Sequence, residues 1–219
     1  MTRATDKITL VLADDEAVAR AGIRALLSQA EDIEVIGEAE DGFEAQQMVA
    51  ELCPRILLLD LKMPGPRPVE LAKWAREHSP ETAILVLTAH HREVHLANMM
   101  EAGAAGYLKK ENSAEALINA VRNAARGVVH FSEGQVEEIA HWKEEVGQKW
   151  ESLSEREREI LKLLALGARN QFIASELAIT INTVESHVKS ILKKLEVDSR
   201  QKAALWPVRN FPEETGGDW

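Results

Sequence analysis

Apolar residues in the first 126 positions follow two rhythms. Nearly unbroken runs at Ile8–Ala13, Ile33–Ala39, Ile56–Asp60, Ala83–Thr88 and Gly106–Lys109 read as strands. Between them apolar residues recur every three or four positions, which predicts helices over Ala17–Gln29, Gly42–Leu52, Val69–Glu77, Glu93–Ala102 and Ala114–Arg126. Ser113 stands where the last of these would be capped. The run Ile56-Leu57-Leu58-Leu59 does not alternate, as expected of a central strand buried on both faces. Five β-α units in succession predict an α/β domain over residues 1–126, a doubly wound five-stranded parallel sheet with helices on both faces. Ligands of such sheets bind at the carboxyl ends of the strands.

The rhythm changes after Arg126. Residues 127–150 are acidic and carry Gly127, Gly134 and Gly147, with one helix expected over Glu133–Val146, so this stretch reads as a linker. From Leu153 onward the pattern is helical throughout: Ser154–Leu166, Asn170–Leu177, Ile181–Leu195 and Ser199–Trp206, with Pro207 stopping the last helix. This predicts a small all-α domain at 151–207, and Phe211–Trp219 reads as a frayed tail within 208–219.

Composition narrows the class. Hydrophobic residues are 45% and charged residues 28% of the chain, ordinary for a soluble protein. No apolar run approaches the roughly 20 residues that cross a bilayer. Met1–Lys7 is polar and leads straight into a strand, which does not read as a signal peptide. The single cysteine, Cys53, excludes an intrachain disulfide and fits a reducing cytoplasm; beside an apolar run, it reads as a core residue. The net charge of −10 argues against a nucleic-acid partner only until it is mapped. Residues 1–126 hold 14 Lys/Arg against 20 Asp/Glu, whereas Arg169–Arg209 holds 7 against 4.

Candidate chemistry lies at the strand ends. Asp14 and Asp15 follow the first strand and Asp60 ends the third, and these strands are neighbours in a doubly wound sheet. Carboxylates so clustered repel one another and suit a hard divalent cation; Mg²⁺ uses a few carboxylates and leaves room for phosphate oxygens. Thr88 and Lys110 end the fourth and fifth strands, offering a hydroxyl donor and a fixed cation to a phosphoryl group on Asp60. Taken singly, each of these residues is more often a cap or a surface charge; the joint pattern carries the reading. His90, His91 and His95 follow Thr88, with His91 and His95 expected on one helical face, and read as a solvated helix start more readily than as a metal site.

The stretches Leu12-Ala13-Asp14-Asp15, Leu59-Asp60-Leu61-Lys62-Met63-Pro64, Leu87-Thr88-Ala89 and Gly103–Lys110 together resemble the receiver domain of two-component response regulators, a flavodoxin-like fold, over about residues 6–126. The resemblance implies that Asp60 takes a phosphoryl group from a sensor histidine kinase. It further implies that Asp15, Asp60 and the backbone carbonyl of Lys62 ligate Mg²⁺, with Asp14 acting through water. Thr88 and Tyr107 would form the switch, and Lys110, three residues after the aromatic, takes the phosphate role ahead of Lys109. The chain departs from the family at Gly65-Pro66-Arg67-Pro68, where prolines stiffen a loop that is usually glycine-rich.

In the last domain Ser154 and Glu157 form a capping-box pattern, Gly167 is a terminator, and Asn170 and Thr180 are placed to cap the next two helices. A short helix, a tight turn and a longer helix make a helix-turn-helix, although periodicity alone favours a helical oligomerisation domain over DNA binding. Residues Leu153–Leu205 resemble the LuxR-type helix-turn-helix of the NarL/FixJ response regulators. The resemblance is carried by Leu153-Ser154-Glu155-Arg156-Glu157, Gly167, Asn170, Ile173-Ala174, Leu177, Thr183-Val184, His187, Ile191, Lys194-Leu195 and Arg200. It implies that Ile181–Leu195 is the recognition helix and that the final helix carries a dimer contact. The candidate contacts to double-stranded DNA are Arg169, Asn182, Thr183, Glu185, Ser186, Lys189, Lys193, Lys194 and Arg200, with Lys202 nearby. Glu185 departs from the basic residue usual there, so affinity is expected to be modest and steeply salt-dependent.

The chain thus reads as a cytoplasmic, phosphorylation-dependent transcription factor and not an enzyme, a homodimer on DNA when phosphorylated. The rival readings are a phosphatase with an aspartyl-phosphate nucleophile, a phosphorylation-independent regulator, and an interaction module without DNA binding.

Overall fold

The computed structural model describes residues 7–211. The chain divides into two compact units, Met1–Glu137 and Glu138–Trp219. In the first, strands β1 (Ile8–Ala13), β2 (Ile33–Ala39), β3 (Ile56–Leu59), β4 (Ala83–Thr88) and β5 (Gly106–Lys109) form one parallel sheet in the order β2-β1-β3-β4-β5. Helices α1 (Ala17–Leu27), α2 (Gly42–Leu52), α3 (Pro68–His78), α4 (Glu93–Glu101) and α5 (Ala114–Ala125) connect them. Leu10, Leu12, Leu58 and Leu85 face α1 and α5, where Ile23, Leu27, Leu117 and Val121 complete one core. Val11 faces the other way, toward Met48 and Leu52 of α2 across Gly37. All four residues of β3 are buried, the burial its unbroken apolar run predicts.

The loop rich in proline is tied down. The amide of Gly42 donates to the Pro64 carbonyl at 2.9 Å, Gly65 adopts φ 108°, and Pro68 is the first residue of α3, where a missing N–H costs nothing. Cys53 corrects the sequence reading. It is exposed, in the left-handed conformation (φ 44°) that ends α2, so the chain turns there before the apolar run begins.

Beyond α5 the chain folds back along β5. The His130 amide donates to the Ala105 carbonyl at 2.7 Å and His130 bridges Gly106, where an added Cβ would lie 3.0 Å from the His130 carbonyl oxygen. Helix α6 (Glu133–Ser152) begins there with a reciprocal cap. Gln135 N donates to Ser132 Oγ at 3.2 Å, and Ser132 N donates to Gln135 Oε1 at 2.9 Å. The same side chain donates from Nε2 to the Tyr107 carbonyl at 2.9 Å, so Gln135 both starts the helix and covers the edge of β5.

Helix α6 runs to Ser152, past the expected end at Val146, because Trp142, Val146 and Trp150 join an apolar core that outweighs the low propensity of Gly147. That core belongs to the second unit, with α7 (Glu155–Ala165), α8 (Asn170–Glu176), α9 (Ile181–Lys194) and α10 (Arg200–Asn210). Ile160, Ile173, Val184, Ile191 and Ala203 are fully enclosed in it. Pro207 does not stop α10 but lies inside it, buried. An interior proline costs about 3 kcal/mol. Here the helix continues because Phe211, bonded through its amide to the Pro207 carbonyl, packs edge-on against Trp150 and Trp206 with ring centroids 5.4 and 5.7 Å away. Phe211 is therefore packed rather than frayed; the readings of residues 1–6 and 212–219 lie outside the described residues.

Replacing Gln135 by Ala removes one cap bond and the bond to β5. The expected result is a global stability within about 1 kcal/mol of the parent, with faster amide exchange confined to residues 130–136. Unchanged exchange there contradicts the role given to this side chain.

Candidate functional site

The parallel pairing of β1 with β3 sets Ala13 opposite Leu59, so the next residues, Asp14 and Asp60, emerge side by side at the carboxyl edge. Asp14 is held through its amide to the Ala39 carbonyl (3.0 Å), and its Oδ1 accepts from the Glu16 amide at 2.9 Å. Asp60 donates its amide to the Ala13 carbonyl (2.9 Å) and accepts the Leu61 amide on Oδ1 at 2.8 Å. Both are buried, while Asp15 is exposed. Oxygens of the three carboxylates lie within 4.8 Å of one another, a spacing that fits a divalent cation.

Lys110 closes the cluster. Its amide donates to the Thr88 carbonyl, placing it at the end of β5, and its Nζ lies 2.7 Å from Asp14 Oδ2, 3.2 Å from Asp60 Oδ2 and 3.7 Å from Glu16 Oε2. Burial disfavours the ammonium, but the pairing with Asp14 and the charge on Asp60 outweigh it and raise its pKa. Lys109 is exposed and takes no part in these pairs. Thr88 is buried and its Oγ1 accepts the His90 amide at 3.1 Å. Tyr107 is buried on β5, its ring edge-on to His91 at 5.6 Å.

A cavity of about 500 Å³ opens beside this edge, lined among others by Lys62, Thr88, His90, His91 and His95. Burial, reinforced by Arg92 and His91, lowers the pKa of His95. Helix α4 starts only at Glu93, so His91 precedes it and does not share a helical face with His95. Among the described residues, the aspartates and not the histidines form the cluster with metal-ligand spacing.

Sequence reasoning missed Arg20. It lies on the inward stripe of α1 with Ile23 and Leu27 and is 9% exposed. Its Nη1 donates to the Asp14 carbonyl at 2.6 Å and its Nη2 to Glu40 at 2.6 Å. The signal was a cation three residues before Ile23, on the face that periodicity marks as buried.

In the second unit Thr180 caps α9 by accepting the Thr183 amide, and Thr183 Oγ1 lies 2.8 Å from the Thr180 hydroxyl. Asn182, Glu185, Ser186, Lys189 and Lys193 are exposed along one face of α9, opposite buried Val184, Val188 and Ile191. Arg169 is also exposed, and it, not Asn170, occupies the N-cap of α8. Two candidates are turned inward. Arg200 donates to Asn170 Oδ1 at 2.7 Å and to the Ala168 carbonyl, fastening α10 to the turn before α8. Lys194 Nζ pairs with Glu157 Oε2 at 2.6 Å. Their charges are spent on internal bonds, which the helical face alone did not reveal.

Glu157 is a hub as well as a cap. It accepts the Ser154 amide (2.7 Å), the Ser190 hydroxyl (2.5 Å) and the Lys194 ammonium, joining the start of α7 to the length of α9. Burial pushes its carboxyl up, but the bonds from Lys194, Ser190 and Ser154 outweigh this and hold it at about 2. With a folded pKa below the ordinary 4.5, its stabilisation is complete above about pH 4.5 and is lost as the pH falls toward 2. Glu157→Gln should therefore destabilise α9 by about 2 kcal/mol at neutral pH. Measured by amide exchange in α9, the gap to the parent should shrink between pH 4.5 and 2. A gap independent of pH contradicts the role of the carboxylate.

Comparison with known proteins agrees with both halves. Residues 10–122 match the response regulator receiver domain, and residues 151–206 match the bacterial regulatory proteins of the luxR family. The chain is 38% identical over 206 residues to the nitrate/nitrite response regulator protein NarL of Escherichia coli (strain K12), covering 90% of this chain and 94% of that one. It is equally identical, over 93% of this chain and 98% of the relative, to the transcriptional regulatory protein LiaR of Bacillus subtilis (strain 168). The solved structure of RcsB from Salmonella enterica serovar Typhimurium, bound to a promoter in the presence of the phosphomimetic BeF3⁻, superposes with a TM-score of 0.69 at 28% identity, over 93% of this chain and 98% of that one. The family comprises DNA-binding transcriptional regulators, not enzymes. The chain belongs to the two-component response regulators that join a receiver domain to a LuxR-type helix-turn-helix.

Proposed function

We propose that Asp60 accepts a phosphoryl group from the phosphohistidine of a sensor histidine kinase, and that this event controls binding of α9 to double-stranded DNA. The observation that carries the first half is the convergence of Asp14, Asp15, Asp60 and Lys110 on one sheet edge. An oxygen of the Asp60 carboxylate attacks phosphorus, the phosphorus–nitrogen bond of the donor breaks, and the imidazole leaves with its electron pair and takes up a proton. Lys110, already cationic beside Asp60, turns its ammonium to the arriving phosphoryl oxygens, and the Thr88 hydroxyl donates to another. Asp14, Asp15, Asp60 and the backbone carbonyl of Lys62 would hold Mg²⁺, which neutralises phosphoryl charge when bound. Thr88, drawn toward the phosphoryl group, loosens its hold on the His90 amide, and the Tyr107–His91 contact reports the change along β5.

The second half is supported by the exposed face of α9 and by the likeness to RcsB, whose structure is of a promoter complex. Arg169, Asn182, Thr183, Ser186, Lys189 and Lys193 are the proposed contacts, with Glu185 on the same face accepting from a cytosine N4–H₂ or repelling phosphate. Lys194 and Arg200 act by holding the domain together. The phosphorylated protein binds paired half-sites as a homodimer in the cytoplasm.

Asp60→Asn should reduce incorporation of label from a radiolabelled phosphodonor to background and remove phosphodonor-stimulated DNA binding in a gel-shift titration. Incorporation at the parental rate contradicts the assignment. Lys189→Ala should weaken DNA binding several-fold and make the log K against log salt slope shallower by about 1. An unchanged slope excludes Lys189 as a phosphate contact.

A further inference from the structure

We propose that Arg20 is a positioning residue of the acidic site, fixing the turn from Asp14 to Glu16 so that the aspartates converge on Asp60. The inference rests on the reading of Asp14, Asp15 and Asp60 as the cation site.

Helix α1 lacks the usual device for fixing its first turn. Its N-cap residue, Glu16, makes no side-chain cap bond. The turn is held instead through Asp14, whose amide is bonded to Ala39 and whose Oδ1 accepts from Glu16. The remaining backbone group of Asp14, its carbonyl, takes Arg20 Nη1 at 2.6 Å. With those three bonds made, Oδ2 of Asp14 is the oxygen that meets Lys110 at 2.7 Å. The guanidinium is itself fixed from behind: Nη2 donates to Glu40 at 2.6 Å, and Nε lies 3.4 Å from Glu38 Oε2, which ties the end of β2 to α1. Burying an arginine demands partners, and the Glu40 side chain is 69% exposed, a weak return for an ion pair alone. The bond to the Asp14 carbonyl is the buried one. A planar guanidinium reaches three acceptors in fixed directions, which a lysine cannot do.

Electrostatics and positioning predict opposite signs. As a nearby positive charge, Arg20 repels a divalent cation, so its loss should tighten binding. As the brace of the Asp14 turn, its loss should weaken binding. The probe is Mn²⁺, followed through the electron paramagnetic resonance signal of the free ion and displaced by Mg²⁺, on the full-length protein. Arg20→Ala should weaken Mn²⁺ binding about tenfold and speed amide exchange at Glu16, with far-ultraviolet circular dichroism unchanged. Arg20→Lys, which keeps the charge, should also weaken it, by less. Tighter or unchanged binding in Arg20→Ala overturns the proposal; if that variant does not fold, Arg20→Lys decides, and parental affinity there overturns it. Asp60→Asn measured alongside separates the two levels. If it leaves Mn²⁺ affinity unchanged, the cation-site reading fails. If Asp60→Asn weakens binding and the Arg20 variants do not, only the role of Arg20 fails.

Discussion

Two aspartates end adjacent strands with their side chains almost wholly out of water, and one ammonium group stands between them. Buried carboxylates are costly unless paired, and Asp14 and Asp60 are paired through Lys110 at 2.7 and 3.2 Å. The remaining parts of the receiver are arranged around that pairing. The β1–β3 register sets the two carboxylates side by side, β4 delivers Thr88, and β5 delivers Lys110 through a backbone bond to Thr88. Lys110 is thus bonded to β4 through its amide and to both carboxylates through its ammonium.

The second unit shows the same economy in a different fold. One buried carboxylate, Glu157, takes donors from its own helix start and from two positions of α9. The orientation of the exposed face of α9 therefore depends on a bond network on its opposite side. Lys194 and Arg200 serve that internal order, leaving Lys189 and Lys193 as the exposed cations of α9. Glu185 stands beside them on the same exposed face and partly offsets their charge.

Legibility followed sequence distance. The strands, the sheet class and the aspartates at strand ends were readable because each rests on local periodicity or on position after an apolar run. Ser113, Ser154 and Thr180 were readable as caps because their partners lie three residues away. Arg20 with Glu40, Lys194 with Glu157 and Arg200 with Asn170 were not, because those partners are 20, 37 and 30 residues apart and only the fold brings them together. Cys53 and Pro207 were misplaced for a related reason. A left-handed turn exposed the one, and aromatic packing around Phe211 overrode the local helix-breaking tendency of the other.

If Asp60 is the acceptor, phosphoryl transfer to this chain ends on Asp60 and on no other side chain. An acyl phosphate is reduced by borohydride to the alcohol, which turns a phosphorylated aspartate into homoserine. Peptide mass mapping after phosphodonor treatment and reduction should place homoserine at position 60 alone. Homoserine at position 14 or 15, or a phosphoryl group that survives reduction on a serine, threonine or histidine, would rule out Asp60 as the sole acceptor.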